Sequence, residues 1–182
     1  MLKTSQEPPM LSPHVSTTSE LSGQWYVAHT RSRFEKAFAR DLLNCGVGYF
    51  LPLVERTRII SGKKRRVLLP LFPSYVFFCG DESAVRNAQM TNRLCQTITV
   101  PDQDTLIDEL GAIERVLNGE SVLDLYPTLA VGRRCRIISG PLLGLEGVIT
   151  RRDSVIQLVL QVSILGQGVL LEISADQVEL LD

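Results

Sequence analysis

From Trp25 to Leu117 the apolar positions alternate between a strand-like and a helix-like period. Trp25-Tyr26-Val27-Ala28-His29 predicts a strand. Phe34, Phe38 and Leu42 then recur every fourth residue, joined by Ala37 and Cys45, which predicts a helix buried on one face. Ser32 and Glu35 have capping-box spacing, and Gly46 is placed to stop the helix. Residues 47–54 are extended, with Pro52 near the end. Residues 56–60 and 65–69 predict a hairpin around the turn-rich Ser61-Gly62-Lys63-Lys64. A strand over 75–79, a short helix over 82–90 and a strand over 95–100 follow. Leu106, Leu110, Ile113 and Leu117 trace a second amphipathic helix, ended by Asn118-Gly119. This order predicts an α+β domain with one mixed sheet flanked by helices.

Outside that stretch the pattern changes. Residues 1–24 are rich in Ser, Thr and Pro with no sustained apolar period, and are expected to be disordered. Residues 119–130 also lack a period and read as a linker between a domain at 25–118 and a second at 131–182. In the second domain, short strands at 133–138, 147–151, 155–162, 169–173 and 177–180 are separated by glycine turns. Five short strands without a helix predict a small closed β-barrel.

Composition narrows the class. With 182 residues and 45% hydrophobic content the chain suits one ordinary or two small domains. No apolar run approaches membrane-spanning length and no secretory signal pattern opens the chain, so a soluble cytoplasmic protein is expected. Cys45, Cys79, Cys95 and Cys135 form no CxxC pair, and only His14 and His29 are available as imidazole partners. Reduced, mostly buried thiols are expected, with no metal site and no cofactor. A phosphate loop and a nucleophile–base pairing are also missing from the sequence, which argues against an enzyme. The net charge of −1 argues against coating nucleic acid with the whole surface and leaves room for a local patch.

Such a patch lies on the hairpin. Arg56, Arg58, Lys63, Lys64, Arg65 and Arg66 fall within one short stretch that holds no acidic residue, suited to phosphates or a solvated tip. The second domain is close to neutral, with Arg133, Arg134, Arg136, Arg151 and Arg152 set against Glu146, Asp153, Glu172, Asp176, Glu179 and Asp182. That balance favours a protein-binding barrel. In Pro70-Leu71-Phe72-Pro73-Ser74-Tyr75-Val76-Phe77-Phe78, alternation puts Tyr75 and Phe77 on one strand face and Val76 and Phe78 on the other. A strand apolar on both faces needs two covers. Either both lie within one core, or one is a second molecule anchored on the aromatics.

Val131-Gly132, Cys135-Arg136-Ile137 and the run Gly140-Pro141-Leu142-Leu143-Gly144-Leu145-Glu146-Gly147-Val148-Ile149 resemble the KOW motif. Upstream, Trp25-Tyr26-Val27, Ser32-x-Phe34-Glu35 and Phe72-Pro73-x-Tyr75-Val76 resemble the N-terminal domain of NusG-type transcription factors, in that family's order. Pro70 to Tyr75 and the basic hairpin are more similar to specialised paralogues of the RfaH type. The His-Thr-Thr motif of some paralogues has no match, Val85-Arg86-Asn87 standing near its place.

The resemblance implies a monomeric elongation and antitermination factor seated on the clamp coiled coil of the largest RNA polymerase subunit. Phe72, Pro73, Tyr75 and Phe77 would be anchors, rimmed by His29 and Arg31, and the hairpin would touch upstream or non-template DNA. A loop at Ile164, Leu165 and Gly166 would meet a small-subunit ribosomal protein or a termination helicase. Leu165 stands where housekeeping members commonly carry an aromatic. An RNA-binding or ribosome-associated KOW protein is the alternative.

Overall fold

The computed structural model describes residues 7–60, 62–119, 123–127, 132–152, 155–173 and 177–181. Two compact units divide the chain, Met1–Gln103 and Asp104–Asp182.

The first unit follows the predicted order: β1 (Gln24–Thr30), α1 (Glu35–Asn44), β2 (Gly48–Phe50), β3 (Leu53–Ile60), β4 (Lys63–Pro70), β5 (Tyr75–Gly80), α2 (Glu82–Met90) and β6 (Leu94–Thr99). Four strands pair antiparallel in the order β2-β5-β1-β6, while β3 and β4 form a separate two-stranded sheet. Register sets the two faces of the larger sheet. Ala28, Val76, Phe78 and Tyr49 share a face and pack with Phe38, Leu42, Ala84 and Ala88 of the two helices. Phe78 lies at the centre, stacked on Tyr26 at 5.4 Å and edge-on to Phe38 at 6.2 Å. Trp25, Val27, Phe50 and Phe77 share the opposite face and are also buried.

Two features differ from the pattern reading. The Ser32 capping box does not form: Phe34 is the N-cap of α1 with no side-chain cap, and the Glu35 carboxylate instead accepts from the Ser74 backbone N–H at 2.7 Å. Residues 7–23, expected to be disordered, are packed. Ser12 exchanges hydrogen bonds with Tyr49 through its backbone N–H and its Oγ, Leu11 bridges Phe50, and Thr18 is buried. The segment satisfies the open edge of β2, a tertiary gain that no apolar period announces. Residues 1–6 lie outside the described residues.

The second unit holds most of α3 (Gln103–Leu117) and six antiparallel strands in the order β12-β8-β9-β10-β11-β7: β7 (Leu123–Pro127), β8 (Arg133–Ile137), β9 (Glu146–Arg152), β10 (Val155–Val162), β11 (Gln167–Ile173) and β12 (Val178–Leu180). The five expected strands form, and the segment read as linker supplies a sixth, β7, paired with β11. Gly147 is required by close approach, since a Cβ there would meet the Val159 carbonyl at 2.6 Å. The compact division falls ahead of α3, inside the span 25–118 expected as the first domain. The Glu109 carboxylate accepts from the Ser163 N–H at 3.0 Å and its hydroxyl at 2.5 Å. No helix among the described residues is long and apolar enough to cross a membrane.

Candidate functional site

Two prolines and a cluster of backbone hydrogen bonds shape the loop into β5. Leu71 N–H donates to Pro52 O, and Tyr75 N–H to Phe72 O. Ser74 takes a left-handed φ of 69°, uncommon for a residue with a Cβ, and is held from three directions. Its N–H donates to Glu35, and its carbonyl accepts from the Thr30 N–H at 2.8 Å and the Thr30 hydroxyl at 3.3 Å. Glu35 is only 6% exposed, so this acceptor sits where water does not replace it.

The six residues expected to contact a partner separate by depth. Phe72 and Phe77 are buried, at 1% and 0% exposure, and meet edge-on at 6.0 Å. They belong to the core of the first unit. Tyr75 is half-buried and stacks on His29, its register partner on β1, with centroids 5.1 Å apart and planes 23° apart. Pro73 and Arg31 are exposed beside that pair. The surface aromatic of this set is therefore Tyr75, stacked on His29, with buried Phe77 two residues along the same face. Alternation places Tyr75 and Phe77 together correctly, but depth along a strand is set by what covers each end.

Phe34 and Arg93 stand outside the set expected from the sequence. The fourfold recurrence puts Phe34 on the buried helix face, yet as N-cap it turns outward and is 40% exposed. The Arg93 guanidinium lies 5.5 Å from its ring centroid and pairs with Asp41. An early apolar residue beside a predicted cap is the available signal.

The hairpin gives the clearest electrostatic pattern. Arg56 faces Val67, Arg58 faces Arg65 and Ile60 faces Lys63 across one face; Glu55 faces Leu68, Thr57 faces Arg66 and Ile59 faces Lys64 across the other. One face therefore carries Arg56, Arg58, Lys63 and Arg65 with no acidic residue. The other carries Lys64 and Arg66 with Glu55, whose carboxylate lies 3.4 Å from Arg66. Arg58, Lys63, Lys64, Arg65 and Arg66 are exposed and Arg56 is half-buried. Arg58 and Arg65 stand directly opposite each other, a like-charge pairing that is destabilising in a sheet. Such an arrangement suits a polyanion that neutralises both.

In the second unit, Ser163–Leu165 forms a 3₁₀ turn closed by Gly166 at φ 58°. Ile164 and Leu165 are half-buried and Gly166 is exposed. Arg134 and Arg136 both pair with Glu146, at 3.2 and 2.5 Å, and the Arg136 hydrogen bond holds the Glu146 carboxyl below its usual range. Among the described residues no cluster of metal-ligating side chains occurs.

These features define a two-unit protein: an α+β unit with a cationic hairpin, followed by a unit built on a small β-sheet. Residues 23–118 match the family model described as "Transcription termination factor nusG", more than half of the chain. The chain belongs to the NusG family of transcription factors, which is not a family of enzymes. Among solved structures it is similar to "Domain interaction in Thermotoga maritima NusG", at 22% identity and TM-score 0.49, covering 87% of this chain and 97% of that one. It is also similar to "Crystal Structure of MjSpt4:Spt5 complex conformation B", at 17% identity and TM-score 0.28, with the same coverage. A search of curated proteins found no match.

Proposed function

We propose that this family member is a monomeric antitermination factor of the RfaH type, which rides on RNA polymerase in the cytoplasm and suppresses pausing. The observation that carries the reading is the hairpin face of Arg56, Arg58, Lys63 and Arg65, which meets the phosphates of upstream or non-template DNA. Tyr75, stacked on His29 and flanked by Pro73 and Arg31, is the anchor on the helical ridge of the polymerase clamp. Phe72 and Phe77 lie in the core, edge-on to each other, and are not themselves surface anchors.

The second unit is the partner-recruiting one, through Ile164, Leu165 and Gly166, toward a small-subunit ribosomal protein or a termination helicase. Pairing of Arg134 and Arg136 with Glu146 supports a protein partner over RNA coating. The test is retention of core RNA polymerase on the tagged full chain, followed by single-round transcription through a terminator. Retention with increased readthrough is expected. Retention with reduced readthrough overturns the antitermination role, and loss of retention overturns polymerase binding.

A further inference from the structure

Among the described residues β3 and β4 pair only with each other, so no ladder hydrogen bond described there fixes the direction of the hairpin relative to the four-stranded sheet. A lone two-stranded hairpin is marginal in water, so its aim depends on its root. At that root Leu53 is buried and Leu68 packs on the helix-covered core. Lys36 of α1 reaches across, donating through Nζ to the Leu68 carbonyl at 2.6 Å and to the Glu7 carboxylate at 2.6 Å. The same N-terminal stretch continues the hold. Met10 sulfur lies 3.4 Å from the Leu53 N–H, Leu51 N–H donates to Met10 O at 2.6 Å, and the Tyr49 hydroxyl donates to Pro9 O at 3.0 Å. Both hairpin strands are thus gripped, β3 by Met10 and β4 by Lys36, with Glu7 orienting the lysine. Residues 7–12 lie outside the span that matches the family model, whereas Lys36 lies within it.

We propose that Lys36 and the N-terminal stretch 7–12 form a positioning device that aims the cationic hairpin face at its phosphodiester ligand. The inference rests on the nucleic-acid reading of the hairpin given above. An ammonium with one charged and one carbonyl acceptor, about three-quarters shielded from solvent, holds direction better than an apolar contact. Neither Lys36 nor Glu7 lies on the cationic face, so both act through the hairpin.

The test places nitroxide labels at Ile59 and Met90, both exposed, in the full chain with Cys45 and Cys95 replaced by Ser. Electron–electron double resonance then reads the distance distribution, and anisotropy reads binding to a DNA duplex with a central bubble. Lys36→Met is expected to broaden the distribution and, with a competent orientation populated about one time in ten, to weaken binding about tenfold. Lys36→Arg is expected to restore both. Glu7→Gln with Met10→Ala leaves Lys36 in place and should broaden the distribution in the same direction, which keeps the test available if Lys36→Met does not fold. A distribution as narrow as wild type in both variants overturns the positioning role. A broadened distribution with unchanged DNA affinity overturns the nucleic-acid reading instead.

Discussion

Replacing Arg56, Arg58, Lys63 and Arg65 together with Gln removes the whole cationic face of the hairpin, while Lys64→Gln with Arg66→Gln removes only cations of the other face. Alternate residues on a strand are ~6.6 Å apart, so the face spans ~13 Å from Arg56 to Ile60. That is the length of about four nucleotides at ~3.4 Å of axis per nucleotide of one strand. For every phosphate left without its cation, the slope of log affinity against log salt should fall by ~0.9 on duplex and ~0.7 on single-stranded DNA. Counting the three exposed cations of that face, Arg58, Lys63 and Arg65, the face variant should therefore lose ~2–3 units of slope. The Lys64/Arg66 variant should lose less than ~1, because Arg66 already pairs with Glu55. Some affinity change is expected from it too, since the opposite face of a thin hairpin lies within the ~10 Å screening length at 0.1 M salt. The assay is anisotropy titration of a bubble-containing duplex at several salt concentrations. Removing the Arg58–Arg65 juxtaposition should also leave the protein as stable as before or slightly more so. Equal loss of slope in the two variants, or a larger loss from Lys64 and Arg66, refutes the one-faced assignment.

Three further outcomes follow from burial and titration. Phe77→Ala should lower unfolding free energy by about 3–5 kcal/mol in a denaturant titration, whereas Tyr75→Ala should cost little stability and about 2 kcal/mol or more of polymerase binding. The Asp81 side chain caps α2, and its carboxyl is held below the usual range first by the Ser83 hydroxyl and then by backbone N–H donors. A depressed carboxyl contributes stability present above its unfolded pKa and lost as pH falls through its folded pKa. Asp81→Asn keeps a capping oxygen and should flatten that acid limb in melts followed from neutral pH into acid. Burial pushes the Cys79 thiol up to about 11, and burial followed by Glu146 raises Cys135. Alkylation near neutral pH, read by mass spectrometry, should therefore modify exposed Cys45 and Cys95 and spare the other two.

Periodicity alone determined most of the elements, because alternation and a fourfold recurrence report directly which face of a strand or helix is buried. Phe38 and Leu42 were legible as core on that basis, although the same recurrence also picked Phe34 and Cys45, which are exposed. The motif residues from Trp25 to Val76 carried the family resemblance, within the span that the family model matches. What lay beyond the pattern was decided by contacts distant in sequence. Ser, Thr and Pro in residues 7–23 say nothing of packing, yet the open edge of β2 gives their backbone a partner. Residues 123–127 have no period, yet β11 has an edge to fill. Glu35 has the spacing of a cap and instead holds Ser74, thirty-nine positions away. Phe77 and Tyr75 share a strand face in any structure, but only the assembled sheet separates a buried ring from a surface one. The basic composition of the hairpin was equally plain from the sequence. Its division into one cationic face and one mixed face required the register of β3 on β4, since a shift of one residue would exchange the two sets.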